Sequence, residues 1–217
     1  MRVLNTLPDG ATSTKPGRSM TTAHRAHVRD ELLQAAEKLF SSVGYVNVTH
    51  ADIAFEADIG RTTFYEYFTS KEDVLVQLVE ERLPRIATEM VDGLPDDLGP
   101  TERLGELTQR MIQFVAVDPL GSLLHTDVQL LSQQSQAQIT KTHTKLSAEF
   151  AAVYRAGVAD GAFKEMAGDV ASRLIFEVIM AAGRVLKESA DPKQRVHEVA
   201  DTVTGFLLAG LRRDAPS

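Results

Sequence analysis

Residues 49–71, which read THADIAFEADIGRTTFYEYFTSK, constrain the fold of this chain more than any other stretch. They predict two short helices joined by a tight turn. Thr49 can cap the first helix, because its hydroxyl can accept from the backbone N–H three residues later, where Asp52 also favours a helix N-terminus. The apolar residues that follow recur at helical spacing and predict one inner face, made of Ile53, Ala54 and Ala57.

Residues 58–60, Asp-Ile-Gly, form the predicted turn. Asp tolerates a left-handed backbone better than most residues, and Gly60 allows the chain to enter the next helix sharply. The second helix is expected from Arg61 to Phe68, with Phe64 and Phe68 pointing inward. The side chains left on its other sides, toward solvent or a partner, are Arg61, Thr62 and Tyr65.

The spacing of these two helices is typical of a DNA-reading helix-turn-helix. Arg61 has a planar fork that suits a guanine edge or a phosphate, and Thr62 and Thr63 are short donors for base edges or phosphates. Three further side chains could reach phosphates and position the protein on the duplex, namely Tyr65, Tyr67 and Lys71. Alternatively, the pair is a plain packing unit with an aromatic core stripe. The polar side chains interleaved with that stripe favour DNA reading.

The segment from about 29 to 76 resembles the N-terminal domain of the tetracycline-repressor (TetR) family of bacterial transcription regulators. The matching residues are Phe40, Gly44, Thr49, Ile53, Ala54, Ala57, Thr63, Phe64, Tyr65, Phe68, Lys71 and Leu75. The chain differs from the family pattern at Asp58, where Gly is usual. It also differs at Gly60, where a Ser commonly caps the reading helix and can touch phosphate. We expect the DNA contacts to come from Arg25, Arg29, Thr49, Gly60, Arg61, Thr62, Thr63, Tyr65, Tyr67 and Lys71.

The composition bounds the class of protein. The chain has 217 residues, 43% of them hydrophobic, and no apolar run of the length that a membrane span needs. It has no Cys, so it can form neither a disulfide nor a thiolate metal site, which fits a reducing cytoplasm. The net charge of −7 does not exclude DNA binding, because the charge that matters is local to the contact surface.

Residues 1–22 are rich in Thr, Ser, Pro and Gly and lack the apolar centre of a signal peptide, so we expect a disordered tail. Before residue 30 the only acid is Asp9, against five bases: Arg2, Lys15, Arg18, Arg25 and Arg29. A basic arm of this kind can follow phosphates or enter a minor groove. The alternatives are a merely solubilising tail or a misassigned start codon.

The whole chain is predicted to be all-α, with a helix-turn-helix DNA-binding domain at 23–71 and a larger helical ligand-binding and dimerisation domain at 72–217. The first helix should run from His24 or Ala26 to Val43, where Gly44 ends it. A long helix from Ser70 should kink or break near Glu80–Pro84 and resume to about Val91. Residues 92–100 read as a loop. Later helices are expected at about 101–117, 119–135, 136–160, 168–189 and 193–212.

The last two predicted helices are apolar around most of their circumference, which requires cover on more than one face. In an all-α protein of this size, a second copy can provide that cover through a four-helix bundle on a two-fold axis. We expect this interface to include Leu174, Val178, Ala182, Val203, Phe206 and Gly210. The alternative is that both helices are central in a monomer.

The region from about 101 to 160, with the next helix, is the expected site of a small molecule. Its candidate residues are Arg110, Met111, Phe114, His125, Gln129, Gln133, His143, Tyr154, Phe176, Met180 and Arg184. Most such residues in a helical body serve packing or lie at the surface. No residue spacing signals a metal site, and no catalytic motif is present, so we expect neither a cofactor nor an enzyme.

These features predict a cytoplasmic, homodimeric, sequence-specific transcriptional regulator. It would bind a palindromic operator as a repressor, and a small-molecule effector would release it. One alternative is a dimeric DNA-binding regulator without an effector. Another is a small all-α enzyme or lipid-binding protein with an incidental helix-turn-helix. The helix from Ser70 is the only element that we expect to contact both sites, with Pro84 as its pivot or merely a helix end.

Overall fold

A computed structural model describes residues 22–126, 128–167 and 169–213. The N-terminal domain consists of α1 (Thr22–Val43), α2 (His50–Glu56) and α3 (Arg61–Tyr67), with a 3-10 turn at Tyr45–Asn47. The predicted inner residues Ile53, Ala54, Phe64 and Phe68 are buried, and Ala57 is half-buried. They pack in one core with buried residues of α1, including Leu32, Ala36 and Phe40. The tail residues 1–21, with Arg2, Lys15 and Arg18, lie outside the described residues.

The turn between α2 and α3 has its left-handed residue at Asp58, as the sequence predicted. Asp58 has a φ of 54°, so the left-handed position is occupied by an Asp. Gly60 has a φ of −65° and an extended backbone, and it is the N-cap of α3. The chain enters α3 at Gly60 as expected, but a φ of −65° does not require glycine, because the left-handed residue lies two positions earlier. By contrast, Gly44 adopts a φ of 87° after α1, which only glycine adopts readily.

The next helix, α4 (Lys71–Asp92), is continuous, and the predicted possibility of a break near Pro84 is wrong. Ser70 caps α4 by accepting from the backbone N–H of Asp73 at 3.1 Å. Buried apolar side chains lie on both sides of the proline, including Val79, Leu83, Ala87 and Met90. Tertiary packing therefore holds both halves in one helix despite the missing hydrogen bond.

The C-terminal body contains α5 (Pro100–Val117), α6 (Pro119–Thr126), α7 (Gln133–Ala159), α8 (Val170–Lys187) and α9 (Pro192–Leu211). The predicted helix 119–135 is wrong in its second half, since α6 ends at Thr126 and a 3-10 turn follows at Val128–Leu130. Ser132 causes this by capping α7: its hydroxyl accepts from the N–H of Ser135 at 3.3 Å. The side-chain amide of Gln136 also donates to the carbonyl of Leu131 at 2.9 Å.

Helix α5 lies at the centre of the body and packs against α6, α7, α8 and α9, most extensively against α9. Helix α4 packs along α7, and α1 packs against both α4 and α6. Helix α1 also reaches the body directly, so α4, which the sequence predicted to contact both sites, is not alone in joining the two domains. The described residues form no strand beyond an isolated bridge between Phe163 and Arg212, and none of their helices is long and apolar enough to cross a membrane.

Candidate DNA interface and effector body

The exposed face of α3 carries the polar side chains that the sequence predicted for DNA. Arg61, Thr62 and Tyr65 are exposed, and Thr63 is half-buried. Phe64, one residue before Tyr65, is completely buried and packs against Phe68 with ring centroids 5.9 Å apart. The apolar face of α3 is thus fixed to the domain core while its polar face points outward.

The N-terminus of α2 lies beside this face. Thr49 and Asp52 form a capping box, in which the hydroxyl and backbone N–H of Thr49 both donate to the Asp52 carboxylate, at 2.7 and 2.8 Å. These hydrogen bonds lower the pKa of Asp52, and the positive charges of Arg61 and His50 lower it further. Arg61 at the start of α3 therefore interacts electrostatically with the Asp52 carboxylate at the cap of α2.

Two side chains predicted to contact phosphates, those of Lys71 and Tyr67, are packed within the protein. The ammonium of Lys71 donates to the carbonyl of Tyr45 at 2.7 Å and lies 4.2 Å from the centroid of the Tyr45 ring. The hydroxyl of Tyr67 is buried and has no hydrogen-bond partner within the described part of the chain. The guanidinium of Arg25 lies 5.8 Å from the centroid of the Tyr67 ring. These contacts join the turn after α1 to the start of α4, and α1 to α3.

Arg29, a predicted DNA residue on α1, points toward α4 in this structure. Its guanidinium donates to Glu81 at 2.9 Å and to the side-chain carbonyl of Gln77 at 3.2 and 3.3 Å. A phosphate would have to compete with a carboxylate for this group. Arg25 is exposed and lies nearer to α3, whose Tyr67 ring it covers.

Nine of the eleven predicted effector residues lie on α5, α7 and α8, three helices that pack against one another. Met111 and Phe114 of α5 are buried, and Phe176 and Met180 of α8 are half-buried and pack on the same core. His143 of α7 makes an edge contact with the Phe176 ring, with the centroids 6.3 Å apart.

His143 presents a defined hydrogen-bond acceptor in this apolar body. Its Nδ1 lies 2.8 Å from the carbonyl of Ile139, and since a carbonyl only accepts, Nδ1 carries the proton. Burial lowers the pKa of His143, although the hydrogen bond to Ile139 opposes that effect. A neutral imidazole whose Nε2 can accept a hydrogen bond therefore lies where α7 contacts α8.

Other predicted effector residues have different surroundings. Arg110 donates to the carbonyls of Met90 and Gly93 at 2.9 and 2.7 Å, so it caps the end of α4. The Tyr154 hydroxyl accepts from the N–H of Met166 and donates to the carbonyl of Lys164. Three side chains are exposed, those of Gln129, Gln133 and Arg184. The side chain of His125 lies outside the described part of the chain.

A further surface lies on α8 and α9 and is apolar. Leu174 is 50% exposed and Phe206 is 66% exposed, while Val178 and Val203 are half-buried. Gly210 is exposed, and a Cβ added there or at Gly205 would meet no atom within 4 Å. Ala182, also predicted at the interface, is buried inside the chain and faces its own core.

Two family models match the chain in adjacent regions. The model for bacterial regulatory proteins of the tetR family matches residues 32–78, which include α2, α3 and the cap of α4. The model for the tetracyclin repressor-like C-terminal domain matches residues 97–211, more than half of the 217 residues. This chain belongs to the TetR family. It is therefore a DNA-binding transcriptional regulator and not an enzyme, as the sequence predicted.

Individual TetR-family proteins align over most of the chain. The HTH-type transcriptional repressor KstR2 of Mycolicibacterium smegmatis is 27% identical over 196 residues, which are 88% of this chain and 94% of the relative. The fold is shared with the FadR regulator of Bacillus subtilis in complex with stearoyl-CoA (TM-score 0.72, 19% identity, 84% of this chain and 99% of that one). It is also shared with a regulator from Saccharomonospora viridis in complex with choline (TM-score 0.71, 18% identity, 87% and 100%).

The structure of this TetR-family protein also brings together residues that sequence reasoning missed. His50 contacts Tyr65 on the exposed face of α3, and the only available signal was its position directly after the Thr49 cap. Arg82 of α4 pairs with Glu37 of α1 and lies 3.9 Å from the carboxylate of Asp118, which joins α5 to α6. No motif marks this second group, because its three members are far apart in sequence.

Proposed function

We propose that this regulator is a cytoplasmic, homodimeric repressor that binds a palindromic operator and leaves it when a small molecule binds the C-terminal body. The observation that carries the DNA assignment is the exposed row of Arg61, Thr62 and Tyr65 on α3. Behind it, Phe64 is fully buried and fixes the helix that presents the row. A guanidinium, a hydroxyl and a phenol on one helix face suit base edges and phosphates.

Operator affinity of Arg61→Ala tests this assignment. If Arg61 makes a bidentate base contact, its loss should cost about 1–3 kcal/mol on the operator and relax specificity at one position per half-site. The matched control is Arg195→Ala on α9, which makes the same change in net charge and removes an exposed Arg that pairs with Glu198 of its own helix. Equal loss on operator and random DNA would show that Arg61 contacts only phosphate.

The apolar α8–α9 surface supports the dimer. Leu174 and Phe206 are more exposed than isolated folding would favour, and Gly205 and Gly210 leave room for a neighbouring helix. A second copy bringing the same face would form a four-helix bundle and would place two α3 helices on one duplex.

The effector proposed for the body has a long apolar acyl chain. In the described core, the buried polar side chains are Thr108 and Thr204, and no carboxylate is buried. A quaternary ammonium such as choline would therefore have no buried counter-charge among these residues. An acyl chain suits a body whose apolar core includes Met111, Phe114, Phe176 and Met180, with Nε2 of His143 able to accept from a polar group. The stearoyl-CoA of the Bacillus subtilis protein belongs to this class.

Operator release is the measurement that tests the effector. Stearoyl-CoA should weaken operator binding and raise the melting temperature of the free protein, and choline at the same concentration should do neither. Release by choline alone would contradict the acyl assignment. No release by a broad metabolite panel would favour the alternative of a dimeric regulator without an effector.

The two domains touch at two places that could carry the signal between the sites. One is α4 itself, and the other is the contact of α1 with α6, which the Arg82 link to Glu37 and Asp118 reinforces. Asp118 also accepts from the N–H of Leu120 at 2.8 Å, so a shift of α6 would move a partner of Arg82. We propose that an effector acts by favouring a different arrangement of these contacts.

Reciprocity tests the coupling. Effector and operator should weaken each other by the same factor, about 5- to 150-fold. Arg82→Ala should reduce this factor, whereas Arg155→Ala should not, because the exposed Arg155 donates to the carbonyl of Ala151 within α7. Pro84→Ala tests the proposed pivot separately, and unchanged coupling in that variant would dismiss only the pivot. Equal effector affinities with and without operator would refute allosteric release.

A further inference from the structure

Tyr65 is held between two rings. Its ring centroid lies 5.4 Å from that of Phe64 at an interplanar angle of 87°, and 5.2 Å from that of His50 at 50°. His50 also contacts Phe64, with the centroids 5.9 Å apart. The three rings therefore form a closed cluster that joins the first residue of α2 to the exposed face of α3.

The backbone beneath His50 is fixed. The capping box at Thr49 and Asp52 precedes and follows it, with the N–H of Asp52 donating to the Thr49 hydroxyl at 3.2 Å. On the other side of the cluster, Phe64 is completely buried. Both supports of the Tyr65 ring are thus anchored in ordered parts of the domain.

Tyr65 itself is 54% exposed. An exposed aromatic side chain without lateral contacts samples several rotamers and loses that freedom when it binds. A ring that is already held on two sides has less conformational freedom to lose on binding. Its hydroxyl therefore points to a partner in one direction.

We propose that His50 is a positioning residue for DNA binding, which holds Tyr65 in the orientation that contacts the operator. The inference rests on the proposed role of Tyr65 at the DNA interface. His50 acts through the face of its imidazole, so another flat ring should replace it. The competing role for His50 is a contact of its own with a phosphate, which a phenyl ring could not make.

A double-mutant cycle on the full-length protein separates these roles. Operator affinity is measured for wild type, His50→Ala, His50→Phe, Tyr65→Ala and the His50→Ala/Tyr65→Ala pair, each at several salt concentrations. We expect His50→Ala to weaken binding about 2- to 12-fold, in line with an aromatic pair. His50→Phe should stay within about twofold of wild type, and the slope of log K against log salt should not change in either variant. In the Tyr65→Ala background, His50→Ala should have no further effect.

Three outcomes would overturn the proposal, and they differ from one another. An equal loss from His50→Ala in both backgrounds would show that His50 acts without Tyr65. A loss in His50→Phe accompanied by a salt slope smaller by about one would show a direct phosphate contact. Full operator affinity in Tyr65→Ala would show that Tyr65 does not contact the operator, so His50 would have no residue to position. Melting temperatures of the single variants, expected within a few degrees of wild type, exclude a general loss of folding.

Discussion

The exposed face of α3 and the exposed face of α8 and α9 differ in chemistry. The first presents Arg61, Thr62 and Tyr65 over a buried aromatic core, whereas the second presents Leu174 and Phe206 beside glycines that leave space. Polar groups on a rigid helix suit a charged duplex, and an apolar face suits a protein surface of the same kind. The contrast fits the two proposed contacts, nucleic acid on the face of α3 and a second copy of the chain on the face of α8 and α9.

The two regions also differ in how their functional residues are held. In the N-terminal domain, short-range features such as the capping box of Thr49 and Asp52 set the backbone. In the C-terminal body, contacts between distant residues do this, as in Arg110 capping α4 from α5. Substitutions in the first region should therefore act on binding, and those in the second on assembly and folding.

Phe206→Asp should have the largest effect. It would bury a charge in an apolar interface, which costs several kcal/mol, so we expect monomers or misfolded protein and operator binding reduced more than about 100-fold. Sedimentation at micromolar concentration measures the assembly. The control is Phe55→Asp on α2, where the side chain is 87% exposed and the oligomeric state should not change. A wild-type monomer in the same experiment would contradict the dimer.

Gly157→Ala should destabilise the C-terminal body. A Cβ at this position of α7 would overlap the ring of Phe163, which stacks on Tyr154. Overpacking of this kind costs about 1–3 kcal/mol, and urea denaturation measures it. Adding Phe163→Leu should recover part of the loss caused by Gly157→Ala. If the Gly157→Ala variant were as stable as wild type, that result would contradict the close contact between Gly157 of α7 and the ring of Phe163.

Gly60→Ser should instead raise the stability of the N-terminal domain and its affinity for the operator. A Cβ there meets only the hydroxyl of Thr63, at 3.9 Å, and the φ of −65° suits any residue. A serine would cap α3 better by a few tenths of a kcal/mol. It could also add a phosphate contact, which would raise operator affinity about 2- to 12-fold. Unchanged affinity at low salt would show that position 60 does not approach the phosphates.

Glu72→Gln should have the smallest effect, visible mainly in pH dependence. Hydrogen bonds from the hydroxyls of Ser132 and Ser135, and from the N–H of Ser132, lower the pKa of Glu72, and the unfolded chain lacks them. The resulting stability is present above the ordinary pKa of a glutamate and is lost as the pH falls through the lower folded value. Thermal melts should therefore show a steeper loss between about pH 5 and pH 3 in wild type than in the variant. Equal slopes would contradict a native-state contact.

The sequence by itself determined the helix-turn-helix and the family, because these depend on local features. The cap at Thr49, the inward pair Phe64 and Phe68, and the exposed row on α3 all follow from spacings of three or four residues. The boundaries of α5, α8 and α9 could be predicted within a few residues for the same reason, since prolines and turn residues mark them.

Only the tertiary structure decided the features that depend on residues far apart in the chain. A break near Pro84 was one of two predicted outcomes, but buried residues on both sides keep α4 continuous. Arg29 and Lys71 carry charges that suit DNA, yet in this structure each donates to a group of the protein itself. The ring of His50 beside Tyr65 and the link from Glu37 through Arg82 to Asp118 depend on which helices meet. A helical period shows which side of a helix is apolar, but it does not show which neighbour that side will contact.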